Sequence, residues 1–141
     1  LVSGALVTAD DIVAELTRRH PNTLSRLSEP FLFNRVDYVR PDEAPFVSSA
    51  VLDLDGPTVL YNRARIHRGH QIAGQPLTAE DRAALDALDE VLESPETPRT
   101  DLLVPAGTTL FFNNHRLLHN RTAYQEDPEA RRLLYRVWIG T

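Results

Sequence analysis

The sequence contains no cysteine and no methionine, and all of its fifteen basic residues are arginine. The absence of cysteine excludes disulfides and thiolate chemistry. No apolar run approaches the roughly eighteen residues that a membrane-spanning helix requires, and residues 1–7 are too short and uncharged for a signal peptide. We therefore predict a cytoplasmic protein that does not insert into a membrane. The absence of methionine further predicts that an N-terminal part of the protein precedes Leu1.

The remaining composition is that of an ordinary soluble domain. A length of 141 residues with 42% hydrophobic and 25% charged residues predicts a single domain over residues 1–141. With the missing methionine, we expect this domain to be incomplete at its N-terminus. The net charge of −5 argues against nucleic acid or a membrane surface as a partner.

Two helices have strong start and stop signals. Thr8 precedes an acidic first turn and an apolar stripe, and Pro21 ends that helix. A second, short helix is expected over residues 22–27. Thr78 opens the clearest helix with a capping box whose N3 residue is Asp81, and an amphipathic stripe then runs to Ser94-Pro95.

The strand signals are short and separated by turns. Gly-Pro at positions 56–57 lies in a hairpin-type turn, and residues 36–45 have the composition of a loop. Five segments have the β-branched and aromatic content that favours strands: residues 31–35, 46–53, 58–62, 108–112 and 117–124.

Two histidines, His67 and His70, stand three residues apart, a spacing that on a helix can hold a metal ion. No carboxylate or third histidine lies beside them, and Gly69 argues against a helix. We interpret this segment as a surface loop, with a metal site as the alternative.

The end of the chain has the most informative pattern. Over residues 132–139, Leu133, Tyr135, Val137 and Ile139 alternate with Arg132 and Arg136 on the opposite face. We predict a strand whose apolar face packs on a core and whose arginines lie roughly 13 Å apart. Arginine on an enclosed face needs an anionic partner, and guanidinium suits bidentate capture of a carboxylate. The alternative is a half-solvated strand whose arginines face water.

His119 lies on the preceding segment and can face the same interior as these arginines. The residues around it read Asn-Asn-His-Arg-Leu-Leu-His-Asn-Arg-Thr-Ala-Tyr, and Arg-Arg-Leu-Leu-Tyr-Arg-Val-Trp follows at 131–138. Together the two strings resemble the C-terminal signature of the taurine/2,4-dichlorophenoxyacetate dioxygenase family. The resemblance implies the C-terminal portion of a double-stranded β-helix, or jelly roll, that is mainly β with flanking helices.

The same resemblance implies a non-haem iron(II), 2-oxoglutarate-dependent dioxygenase. It identifies His119 with the distal iron-binding histidine, Arg132 with the arginine that pairs with 2-oxoglutarate, and Arg136 with an arginine that holds an anionic substrate group. It implies no catalytic residue beyond the metal ligand. The implied partners are a small-molecule substrate and O2, and the sequence leaves a homo-oligomer open. The segment Tyr61-Asn62-Arg63 also resembles a family stretch that lines the pocket.

One part of the family pattern is missing. No histidine of this chain begins the H-x-D/E motif that supplies the other two iron ligands, and we expect that motif to lie before Leu1. The fragment alone is therefore expected to be inactive. Two other interpretations stay open: a non-catalytic jelly-roll module that binds a small anion, and an interaction domain whose terminal strands form a sheet edge.

Overall fold

The computed structural model describes residues 2–35, 42–121, 135–137 and 139. The described helices are α1 (Ala9–Arg19), α2 (Leu24–Leu27), α3 (Arg63–Ala73) and α4 (Ala79–Glu93), with a 3₁₀ turn at Pro21–Thr23. The described strands are β1 (Val2–Thr8), β2 (Pro30–Asn34), β3 (Phe46–Ala50), β4 (Leu52–Asp53), β5 (Thr58–Val59), β6 (Thr100–Val104) and β7 (Leu117–Arg121).

The strands form three small antiparallel sheets. The largest has the order β6-β1-β7, while β2 pairs with β3 and β4 pairs with β5. The described residues therefore form a mixed helix-and-sheet structure, and the sequence-based prediction of a mainly β fold is wrong for them. Antiparallel strands with flanking helices are confirmed, whereas the complete jelly roll stays a prediction.

The two helices with capping signals form as predicted. The Thr8 side chain accepts a hydrogen bond from the Asp11 backbone N–H at the start of α1. At the start of α4, Thr78 and Asp81 form the reciprocal capping box, and the helix ends at Ser94. These caps satisfy backbone N–H groups that have no partner within the helix. The short helix expected over residues 22–27 is divided between the 3₁₀ turn and α2.

The segment around His67 and His70 is a helix, α3, and not the predicted loop. Asn62 caps it by accepting from the Arg65 N–H, and Gly74 ends it in the left-handed region with φ of 65°. Gly69 lies where α3 crosses β2: a Cβ there would be 2.2 Å from the carbonyl oxygen of Leu32. Glycine at this position therefore reflects the close approach of a neighbouring backbone, not a break in the helix.

The core is formed by buried residues of α1, α2, α3 and α4 together with residues from each of the three sheets. Leu85 and Leu88 of α4 are fully buried together with Ile12 of α1. Val7 connects the central strand β1 to this core, and Leu118 of β7 packs against it. This packing fixes one face of the β6-β1-β7 sheet against the helices. No helix of the described ranges is long and apolar enough to cross a membrane.

Two of the predicted strands are absent from those of their residues that the structure describes. Residues 108–112 have no strand, and Phe111 is 77% exposed. Residues 135–137 and 139 are also outside any strand, with Tyr135 86% and Val137 81% exposed, so the predicted packing of this face on a core is wrong for them. Their β propensity has no neighbouring strand among the described residues to pair with, and propensity alone does not form a sheet. Residues 122–134 lie outside the described residues.

Candidate functional site

His119 is held in the middle of β7 by pairing with the central strand β1. It lies opposite Leu6 in an antiparallel register, and its neighbours Leu118 and Asn120 lie opposite Val7 and Ala5. Because side chains alternate along a strand, Leu118 and Asn120 project to one face of the sheet and the imidazole projects to the other. The strand predicted around His119 is thus confirmed for the described residues.

The surroundings of His119 favour its neutral form. Its ring lies 5.0 Å from the ring of Phe112, measured between centroids, in a tilted arrangement. Partial burial lowers the pKa of His119, and the positive charge of Arg136 lowers it further. Both effects favour the uncharged imidazole, which is the form that binds a metal ion.

The structure describes only one of the two arginines of the predicted site. Arg136 lies close enough to His119 for its charge to act on the imidazole, and its side chain is exposed. Arg132 lies outside the described residues. The convergence of His119, Arg132 and Arg136 on one cavity therefore stays a prediction.

The alternative metal site at His67 and His70 is contradicted by the hydrogen bonds of His70. This side chain is 9% exposed, and its Nε2 accepts the backbone N–H of Leu32 at 3.1 Å. Its Nδ1 lies 2.8 Å from the carbonyl oxygen of Gln75, so Nδ1 carries the proton and donates it. Since both ring nitrogens are engaged, His70 ties α3 to β2 and has no lone pair for a metal.

A metal site needs several ligating side chains close together. Among the described residues, no group of three or more histidine, cysteine, aspartate or glutamate side chains could hold a metal ion. An iron centre of the two-histidine, one-carboxylate type needs three such donors. The described residues therefore do not by themselves fit a complete iron site.

A small cavity of about 170 Å³ lies beside β7. Its apolar wall consists of Ala5, Val7, Leu92 and Leu118 together with Tyr61. Arg99, His119 and Asn120 also border it. Sequence reasoning did not identify Arg99 or Asn120 as site residues, because their proximity depends on β1 pairing with both β6 and β7.

Tyr61 is held at this cavity by a charged network on α3 and α4. Its hydroxyl donates to Asp89 Oδ1 at 2.5 Å, and Arg63 bonds Asp89 at 2.7 Å and Asp86 at 2.6 Å. Burial, together with the Asp89 hydrogen bond, raises the pKa of Tyr61 well above its ordinary range. The hydroxyl therefore stays protonated. Of the predicted pocket segment, Tyr61 borders the cavity, while Asn62 caps α3 and Arg63 binds the two carboxylates.

Comparison with known proteins adds an independent finding. Residues 6–138 match the model of a family described as "Taurine catabolism dioxygenase TauD, TfdA family". A comparison with curated proteins gave no match. The family match extends from β1 through β7 and includes both His119 and Arg136. A match over nearly the whole chain establishes that this protein belongs to the TauD/TfdA family.

Proposed function

We propose that this chain is the C-terminal part of a non-haem iron(II), 2-oxoglutarate-dependent dioxygenase that hydroxylates a small substrate bearing an anionic group. The observation that carries the proposal is the family match across the strand on which a neutral His119 lies within reach of the Arg136 charge. We also propose that the complete domain is a double-stranded β-helix, to which the antiparallel β6-β1-β7 sheet contributes one face.

In this proposal His119 is one of three iron ligands. The iron would supply the redox chemistry with O2 and 2-oxoglutarate. The described residues contain no group of three or more donors that could hold the ion, so in this proposal further ligands come from outside them. What His119 itself provides is an uncharged imidazole on a paired strand, whose direction is fixed by the register with Leu6. A fixed ligand direction is what a metal site requires of its protein.

In this proposal each of the two arginines binds a different anion. Arg132 pairs with the far carboxylate of 2-oxoglutarate, and Arg136 binds a carboxylate, sulfonate or similar group of the substrate. Guanidinium is suited to both roles because it presents a planar fork of donors that matches an oxyanion. The charge that Arg136 places near His119 is consistent with an anion-binding role at this end of the sheet.

The decisive experiment is release of labelled CO2 from 2-oxoglutarate by the full-length protein. We expect His119→Ala to abolish decarboxylation and Arg132→Ala to raise the 2-oxoglutarate requirement steeply, since removal of one member of a buried charge pair costs roughly 3–5 kcal/mol. Arg131→Ala removes the same charge from the adjacent position and serves as the matched control. His115→Ala is the matched control for His119→Ala, because it removes an exposed histidine four residues earlier. Wild-type turnover in both His119→Ala and Arg132→Ala would refute the assignment.

A second candidate is a non-catalytic module that binds a small anion without iron. It is favoured by the lack of a three-ligand metal group among the described residues. Calorimetric titration with 2-oxoglutarate in the presence of a strong chelator separates the two. Tight binding that chelator leaves unchanged, with no CO2 release after iron is restored, would favour the binding module.

A further inference from the structure

The cavity bordered by Tyr61 and Arg99 lies on the opposite face of the sheet from the His119 imidazole. Ala5 and Asn120 are cross-strand partners, as are Val7 and Leu118, and all four border the cavity. Partners directly across an antiparallel pair project to the same face. His119 also borders the cavity, but its imidazole projects to the other face of the sheet, so the cavity adjoins the proposed iron site without containing the imidazole.

Arg99 carries a positive charge at this cavity that the described residues do not neutralise. Its Nε donates to the Thr97 carbonyl at 3.5 Å, and one terminal nitrogen donates to the Ser94 carbonyl. These bonds hold the guanidinium against the C-terminal end of α4. Neither partner is a carboxylate, and Arg99 forms no ion pair with a described residue. A guanidinium has five N–H donors, so several remain for a ligand.

Asn120 supplies a second donor to the same cavity. Its side-chain oxygen accepts the Ala5 backbone N–H at 2.8 Å. This bond fixes which end of the amide is oxygen, because a backbone N–H cannot pair with another donor. The NH₂ group has no hydrogen-bond partner among the described residues. The Tyr61 hydroxyl is already committed to Asp89, so the tyrosine contributes its ring to the wall.

The composition of the walls defines the ligand. Among the described residues, no aspartate or glutamate borders the cavity, and its apolar surface comes from Ala5, Val7, Leu92 and Leu118. A volume of about 170 Å³ is smaller than the 300–1,000 Å³ of clefts that hold drug-sized ligands. We infer that this cavity binds a small monocarboxylate with an apolar tail of a few carbon atoms, its carboxylate on Arg99 and Asn120. This inference does not rest on the proposed oxygenase function.

The test is a titration of the ¹⁵N-labelled full chain with butyrate at constant ionic strength, followed by two-dimensional NMR. We expect saturable shifts of the Asn120 side-chain NH₂ and the Arg99 Nε–H, with a Kd on the order of 1 mM for so small a ligand. Butyramide has nearly the same shape without the charge and should bind at least about tenfold more weakly. Shifts that do not saturate, or equal binding of butyramide, would overturn the inference.

Substitutions locate the site. Arg99→Gln should weaken butyrate binding about 10- to 100-fold. The matched control is Arg68→Gln, which removes the same charge from an exposed arginine of α3 that bonds Gln71 and should leave the Kd unchanged. Equal effects of the two substitutions would show only a general charge effect and refute the assignment.

A second variant guards against a folding defect in Arg99→Gln. Asn120→Asp keeps an oxygen for the Ala5 N–H, removes the NH₂ donor and places a negative charge at the cavity. It should abolish butyrate binding while the spectrum remains that of a folded protein. Undiminished binding in a folded Asn120→Asp variant would overturn the inference whatever Arg99→Gln does.

Discussion

Substitution of Gly69 by alanine sets local helix propensity directly against tertiary packing. Alanine is better than glycine in a helix interior by about 1 kcal/mol, so propensity alone predicts a more stable protein. The structure predicts the reverse. A Cβ at this position would lie 2.2 Å from Leu32 O, 2.6 Å from Leu32 C and 2.8 Å from Asn34 N, all of them backbone atoms of β2.

The expected magnitude follows from what must move. A carbon atom normally approaches a carbonyl oxygen no closer than about 3.3 Å, so α3 must shift from β2 by about 1 Å. Such a shift would stretch the 3.1 Å bond between His70 Nε2 and the Leu32 N–H beyond hydrogen-bonding distance. Overpacking costs about 1–3 kcal/mol and a lost buried hydrogen bond about 1–3 kcal/mol. After the gain in propensity, Gly69→Ala should lower the free energy of unfolding by about 1–5 kcal/mol.

Urea unfolding followed by far-ultraviolet circular dichroism measures this change. The matched control is Ala64→Gly at an exposed position of α3, which should cost about 1 kcal/mol or less through propensity alone. Both variants should keep the wild-type m value. A Gly69→Ala protein as stable as wild type would refute the argument that α3 and β2 are in backbone contact.

Two further predictions concern buried polar groups. Burial alone would raise the pKa of Asp81, but its bonds to the Thr78 N–H and to Arg26 outweigh burial and lower that pKa. The resulting stability is present above the ordinary value of 3.8 and is lost as pH falls below it. Asp81→Asn should therefore destabilise the protein at pH 7 by roughly 2–4 kcal/mol. It should also make the free energy of unfolding less dependent on pH in the acid range. An unchanged pH dependence would refute this assignment. Tyr61→Phe should cost about 1–2 kcal/mol in thermal unfolding at pH 7, because the partly buried Asp89 carboxylate loses a hydrogen-bond donor. A Tm equal to that of the wild type would show that the 2.5 Å bond contributes nothing to stability.

The sequence predicted well the elements whose signals are local. The caps at Thr8 and Thr78 and the stop at Ser94 depend on residues within one helical turn, and the structure has them as expected. The prediction failed at α3, where Gly69 was interpreted as a helix breaker. A glycine required by a neighbouring backbone and one that ends a helix look the same in sequence. The N-cap at Asn62 was a local signal that could have corrected this interpretation.

The candidate site was only partly accessible from the sequence. The strand around His119 could be predicted, but its neighbour β1 lies more than a hundred residues earlier, and no local pattern specifies that pairing. The cavity beside Arg99 depends on the same long-range pairing. The segment 108–112 shows the opposite error, since its strong β propensity has no partner strand among the described residues.

The strand order of the largest sheet also bears on how the protein is made. β1 is the first of the described strands but occupies the centre of its sheet, and its two neighbours are the last strands described. During synthesis β1 emerges long before β6 and β7, so its pairing with these two strands forms only after the described helices between them have been synthesised. Contacts between residues so far apart are slow to form. His119 accordingly reaches its place opposite Leu6 late in folding, and a chain that ends before residue 117 would contain the four described helices but lack β7, the strand that carries His119.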